Sequence, residues 1–160
     1  MTRNLTNGEQ TGKPETAMEA ALAEAQAAAE CGEVPVGAVL VNAEGTIIAR
    51  ASNRTRELND PTAHAELLVI REACETMQSE RLTGHDLYVT LEPCAMCAAA
   101  ISFARIRRLY FGAEDPKGGA VENGMRFFEQ STCHHSPEVY GGIDEARAGE
   151  ILREFFKARR

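Results

Sequence analysis

The sequence predicts a layered α/β domain whose first two strands run antiparallel. Three observations carry that expectation. The chain has 160 residues, 44% hydrophobic and 26% charged, enough to bury a real core and unlike a disordered composition. Its apolar pattern runs helix, strand, strand, helix, strand, helix, strand, then a short strand and a closing helix. A tight Asn42-Ala43-Glu44-Gly45 turn joins the first two extended runs into a hairpin.

Residues 1–14 are polar and read as a flexible tail, leaving 15–160 as a single domain. Residues 15–30 are rich in Ala, Glu and Gln, strong helix formers, and Cys31-Gly32 supplies the stop. Apolar runs at 36–41 and 46–51 form the hairpin, and 53–59 is polar loop. Asp60-Pro61-Thr62 signals a helix start, and that helix extends to about Met77 with Leu67, Ile70, Cys74 and Met77 as its apolar stripe. Residues 86–91 make a third strand, Glu92-Pro93 opens a small apolar helix over 94–104, and 108–112 make a fourth strand. Residues 125–130 fit one or two helical turns, and 139–140 belong to a short fifth strand. Residues 144–157 close the chain as an amphipathic helix with Ile151, Leu152, Phe155 and Phe156 on its apolar side.

Composition narrows the function classes. The longest uncharged stretch, 93–104, has twelve residues and is too short to span a bilayer. The first fourteen residues lack an apolar core of the kind a secretory signal needs, so a cytoplasmic protein without a membrane partner is expected. The net charge of −7 disfavours a nucleic-acid partner on average. The average hides two +3 segments, one at 103–110 with Arg105, Arg107 and Arg108, and one in the last ten residues with Arg153, Lys157, Arg159 and Arg160 against Glu154. Either is a local basic face on an acidic body or ordinary solvated arginine.

Five cysteines, an odd number, do not make a disulfide framework in a chain read as intracellular. Cys94 and Cys97 are spaced C-x-x-C, which points to metal or redox chemistry. His64-Ala65-Glu66 and Pro93-Cys94-Ala95-Met96-Cys97 each open a helix. Free N–H groups and the positive dipole end there favour the thiolate that zinc requires. Cys94 and Cys97 share a helix face, and His64 from the neighbouring helix makes a third ligand. Three protein ligands leave a fourth position for water, the mark of a catalytic zinc site. Glu66 is then a spare carboxylate beside the metal, suited to proton transfer. A structural zinc completed by Cys133, His134 or His135 leaves Glu66 idle, and a thioredoxin-like dithiol explains neither histidine nor glutamate.

H-x-E followed by P-C-x-x-C is the known signature of zinc nucleobase deaminases, a class that already includes the family resembled here. Over about 34–160 the chain resembles the bacterial tRNA-specific adenosine deaminases. The residues that carry the likeness are Val34-Pro35-Val36-Gly37-Ala38-Val39, Asn53-Arg54, 60–66, 87–94, Phe111-Gly112-Ala113 with Asp115, and Phe155-Phe156 with Arg159-Arg160. The resemblance implies a three-layer α/β/α cytidine-deaminase-like sandwich with a five-stranded mixed sheet, in a homodimer holding one Zn2+ per chain. It implies conversion of the wobble adenosine of an arginine tRNA anticodon to inosine, with release of ammonia. His64, Cys94 and Cys97 then hold zinc, and Glu66 is the catalytic proton shuttle. Asn53, Asp115 and Phe156 contact the substrate. Glu114, where relatives carry a basic residue, and the 116–135 segment depart from the pattern. An alternative is therefore a deaminase of a free nucleobase or nucleoside, of guanine, cytosine or cytidine type. From another class, a zinc-stabilised RNA-binding module would have no use for Glu66.

Overall fold

The computed structural model describes residues 15–159, so the tail expected at 1–14 and Arg160 lie outside the described residues. The first helix, α1 (Ala17–Glu30), begins at a reciprocal cap. The Thr16 hydroxyl accepts the Glu19 N–H at 3.0 Å, and the Glu19 carboxylate accepts the Thr16 N–H at 2.9 Å. Strands β1 (Gly37–Val41) and β2 (Ile47–Ser52) form the expected hairpin, its turn held by Asn42 Oδ1 accepting the N–H groups of Glu44 and Thr46. Then follow α2 (Ala65–Met77), β3 (Asp86–Leu91), α3 (Ala95–Phe103) and β4 (Arg108–Ala113). A single 3₁₀ turn at Phe127–Glu129, β5 (Glu138–Tyr140) and α4 (Glu145–Lys157) complete the described chain.

The five strands lie in the order β2-β1-β3-β4-β5. β1 pairs antiparallel with β2 and with β3, while β3–β4 and β4–β5 are parallel, so the sheet is mixed. Parallel neighbours need a crossover, and α3 supplies it between β3 and β4. Side chains alternate across the sheet with period two. Ala38, Leu40, Leu87, Val89, Leu109 and Phe111 face Val69, Ile70 and Ala73 of α2 and Ile101 of α3. Val39 and Tyr88 face the other way, towards Met18, Ala21 and Leu22 of α1 and Ala148 of α4. The outcome is three layers, α1 and α4 on one face and α2 and α3 on the other. Gly37 is required where α1 crosses β1, because a Cβ there would collide with the backbone of Ala21 and Ala25.

Three local expectations shift. The second helix starts at Ala65, not at Pro61, because Asp60 Oδ1 binds both the N–H and the hydroxyl of Thr62 in a tight turn. That delay places His64 at the N-cap. Of the expected stripe of α2, Ile70 is buried and Cys74 packs partly against the core, but the buried face is centred on Ala65, Val69, Ile70 and Ala73: small residues let the helix approach the sheet, Leu67 is only half-buried, and Met77 at its end is exposed. On α4, Phe155 is buried while Phe156 is exposed, so the two phenylalanines part company.

Among the described residues no helix is long and apolar enough to cross a membrane.

Candidate active site

His64 and Cys94 are the N-cap residues of α2 and α3, both in extended conformation, and neither side chain caps its own helix. An N-cap residue normally spends its side chain on the free N–H groups of the first turn. Here those side chains are left for another task. On α2 the duty passes to Asn53, whose Oδ1 accepts the Ala65 N–H at 2.8 Å. Cys97 lies one turn into α3 and is fully buried.

The two sulfurs and the imidazole converge. His64 Nδ1 is 3.6 Å from Cys94 Sγ and 3.6 Å from Cys97 Sγ, and the three donor atoms all lie within 4.8 Å of one another. A tetrahedral zinc with bonds of about 2.3 Å to sulfur and about 2.0–2.1 Å to nitrogen spans a sulfur–nitrogen edge of about 3.6 Å. The donor set and its spacing therefore fit that ion.

Charge in the cluster is set by its own hydrogen bonds. A bond from the Cys97 thiol, helped by His64, brings Cys94 down to about 4, against the cost of burial. The same bond and burial push the Cys97 thiol far up. His64 is raised, chiefly by its bond to Cys94. Zinc ligation needs both sulfurs as thiolates, so loading the site releases the protons they hold. Glu66, in the first turn of α2 and buried, is pushed up to about 7, mainly by desolvation and further by the Cys94 charge. A carboxyl near neutrality both takes and gives a proton at working pH.

A cleft of about 330 Å3 opens on these groups. Asn53, His64, Glu66, Cys94 and Asp115 all line it, with Val34, Val36 and Leu91 as apolar walls. Sequence reasoning had singled out those five but not the walls. Asp115 Oδ1 accepts the N–H groups of Lys117 and Gly118, which shapes its loop. Phe156 is not among the lining residues; it stands exposed on α4, its ring edge-on to Phe155 at 5.3 Å between centroids. Cys133 and the two histidines after it lie apart from the donor cluster. His135 Nε2 sits 2.7 Å from the Ile106 carbonyl oxygen, and Cys133 bonds the His135 carbonyl.

Three buried acids escaped the sequence reading: Asp86, Glu33 and Glu92. Glu33 accepts the N–H groups of Arg56 and Glu57, pinning the loop that follows Asn53. Glu92 accepts five N–H bonds from 115–123. Burial opposes its charge, yet the Asp115 N–H, the Asn123 amide and their neighbours hold it below the usual carboxylate range. The available signal was an acid embedded in an apolar run, Leu91-Glu92-Pro93, since a buried acid demands partners.

Two of the three arginines of the first basic segment, Arg107 and Arg108, are occupied. Arg107 grips Asp86 through two parallel bonds of 3.0 Å, and Arg108 reaches Asp86 and Glu138. They stand at the starts of β3 and β4, the opposite end of the strands from Cys94.

Two helix starts that give up their caps to a shared cluster of sulfur and imidazole, beside a spare buried carboxyl, define a zinc-dependent hydrolase of the deaminase class. Comparison with known proteins agrees. The model of the cytidine and deoxycytidylate deaminase zinc-binding region matches residues 11–113. A tRNA-specific adenosine deaminase of Agrobacterium fabrum is 68% identical over 143 residues, 89% of this chain and 93% of its own. The tRNA-specific adenosine deaminase of Rickettsia bellii is 48% identical over 141 residues, 88% of this chain and 97% of its own. A solved structure from work on A-to-I editing by tRNA:A34 deaminases at the wobble position superposes with a TM-score of 0.83 at 69% identity, covering 85% of this chain and 98% of that one. The chain belongs to the zinc-binding deaminase family and, within it, to the tRNA-specific adenosine deaminases.

Proposed function

We propose that this protein converts the wobble adenosine of an arginine tRNA anticodon to inosine, releasing ammonia. The observation that carries the reading is Glu66: a buried carboxyl lining the cleft beside three metal donors, of which it is not one. His64, Cys94 and Cys97 would hold one zinc per chain. When bound there, zinc supplies a Lewis acid that makes water a nucleophile near neutral pH. Glu66 takes one proton from the water that attacks C6 of adenine and delivers it to ring N1, then takes the remaining proton from the C6 hydroxyl and passes it to the departing amine. Water adds, the C6–N bond breaks, and inosine and ammonia leave. Asn53, its Oδ1 committed to Ala65, offers its Nδ2 to the base edge. Asp115 meets the nucleotide where it lines the cleft, and Phe156 stacks on a flanking base of the loop.

Residues 15–160 act as one catalytic domain working in the cytoplasm as a homodimer. Support for a second copy comes from α3, whose Phe103 is 73% exposed.

The decisive experiment incubates purified protein with an arginine-tRNA anticodon stem-loop and with a panel of free bases and nucleosides. Inosine in the stem-loop, without turnover of guanine, cytosine or cytidine, is the expected result. Turnover confined to a free base would overturn the RNA substrate, and binding without turnover would leave an RNA-binding module.

A further inference from the structure

Glu92 is only 2% exposed, and among the described residues no cation pairs with it. Both of its oxygens are spent on one loop. Oε1 accepts the Asp115 N–H at 2.9 Å and Asn123 Nδ2 at 2.7 Å. Oε2 accepts the N–H groups of Val121, Glu122 and Asn123 at 3.0, 2.8 and 3.0 Å. Five donors converging on one carboxylate take the place of a counter-charge. The loop wraps so closely that Gly119 has no room for a side chain: a Cβ would stand 2.5 Å from Glu92 Cδ and 2.6 Å from the Asp115 carbonyl oxygen.

The two ends of this arrangement matter differently. On one side Glu92 lies two residues before Cys94, and the Ala120 N–H binds the Pro93 carbonyl at 2.9 Å, so the loop is tied to the start of α3. On the other side Asp115 and Gly118 line the same cleft as His64 and Glu66. We propose that Glu92 is a positioning residue, whose carboxylate fixes the 114–123 loop against the start of α3 and so sets where the Asp115 wall meets the substrate. This deepens the function proposed above and rests on it for what the wall contacts.

The chemistry demands a carboxylate. A glutamine at 92 would keep its one oxygen towards the three N–H groups of Val121, Glu122 and Asn123, since its NH2 there would face three donors. The NH2 then faces Asp115 and Asn123. The Asn123 amide turns over and presents its oxygen, but the Asp115 N–H is left opposite a donor. Glu92→Gln therefore frees the Asp115 end of the loop and spares the 121–123 end.

Amide hydrogen exchange on the zinc-loaded protein, without RNA, reads this directly. In Glu92→Gln the Asp115 amide should exchange at least about tenfold faster, with the amides of Val121 to Asn123 within about threefold of the unaltered protein. With an adenosine-containing anticodon stem-loop, KM should rise about tenfold while kcat stays within about threefold. A purely structural defect lowers kcat with the active fraction and leaves KM in place. Gly119→Ala attacks the same carboxylate from the loop side, crowding Oε2 as well as Cδ, so it should speed exchange at Asp115 and at 121–123 together and give the same rise in KM; it carries the test if Glu92→Gln does not fold. Unchanged Asp115 exchange in either folded variant, or a fall in kcat at constant KM, overturns the proposal. Since exchange is read without substrate, an unaltered protein inactive on the stem-loop counts against the substrate and not against the hold of Glu92 on its loop.

Discussion

The side-chain oxygen of Asn53 caps the helix that carries His64, through a 2.8 Å bond to the Ala65 N–H. One residue thereby links the end of β2 to the metal donors and to the cleft. Its two side-chain atoms are separable by mutation. Asn53→Asp keeps the accepting oxygen at a helix N-terminus, where negative charge is welcome, but removes the amide donor. Melting temperature should match the unaltered protein while deamination falls. Asn53→Ala loses the cap as well and should cost about 1 kcal/mol in denaturant unfolding. Equal activity in Asn53→Asp would remove the residue from base recognition.

Metal retention depends on both sulfurs. Cys94→Ala or Cys97→Ala leaves two donors, too few to close a tetrahedral site, so zinc measured by elemental analysis should fall to less than about a tenth of normal and activity should vanish. A Cys94→Ala protein that keeps its zinc and its turnover would displace the site from this cluster.

Glu66 is not a donor, so Glu66→Gln should bind zinc normally while kcat drops by about 10² to 10⁴. Zinc content and single-turnover inosine formation, measured on one sample, separate loss of the proton shuttle from loss of the metal. Near-normal turnover would place the shuttle elsewhere.

The terminal helix offers RNA both arginine and an exposed aromatic ring. Arg159 lies 3.6 Å over the Phe155 ring and Phe156 is exposed beside it. Phe156→Ala with Arg159→Ala should weaken stem-loop binding by about 1–3 kcal/mol and flatten the salt dependence by about one unit of slope. Arg107→Ala is the control. It strips the buried Asp86 of its bidentate partner, so it should lower melting temperature and leave the salt slope alone. Equal slopes in the unaltered and doubly substituted proteins would make the terminal helix ordinary structure.

The cluster of His64, Cys94 and Cys97 was legible because its spacing and helix-start context are written locally; it needed no tertiary information beyond the adjacency of two helix starts. The hairpin and the three later strands were legible for the same reason. What escaped was set by packing between distant segments. The start of α2 moved because the Asp60 side chain closed a turn before the helix could begin, and its buried face moved because the sheet chose Ala65 and Ala73 over larger neighbours. Glu33 and Glu92 went unread because their partners are backbone N–H groups more than twenty residues away, which leave no trace in residue type. The arginines at 107 and 108 looked free for phosphate because Asp86 and Glu138 are remote in sequence.

The order of the strands has a kinetic consequence. His64 stands 30 residues from Cys94 and 33 from Cys97, and β1 lies between the strands that lead to them. The donors meet only once β3 has paired with β1, a contact between segments distant in sequence whose closure entropy must be met first. A chain caught halfway presents a lone histidine and a separate dithiol with little hold on an ion. Zinc bound to the finished triad should therefore act almost wholly on the escape rate, lengthening the lifetime of the native state while leaving the speed of folding nearly untouched.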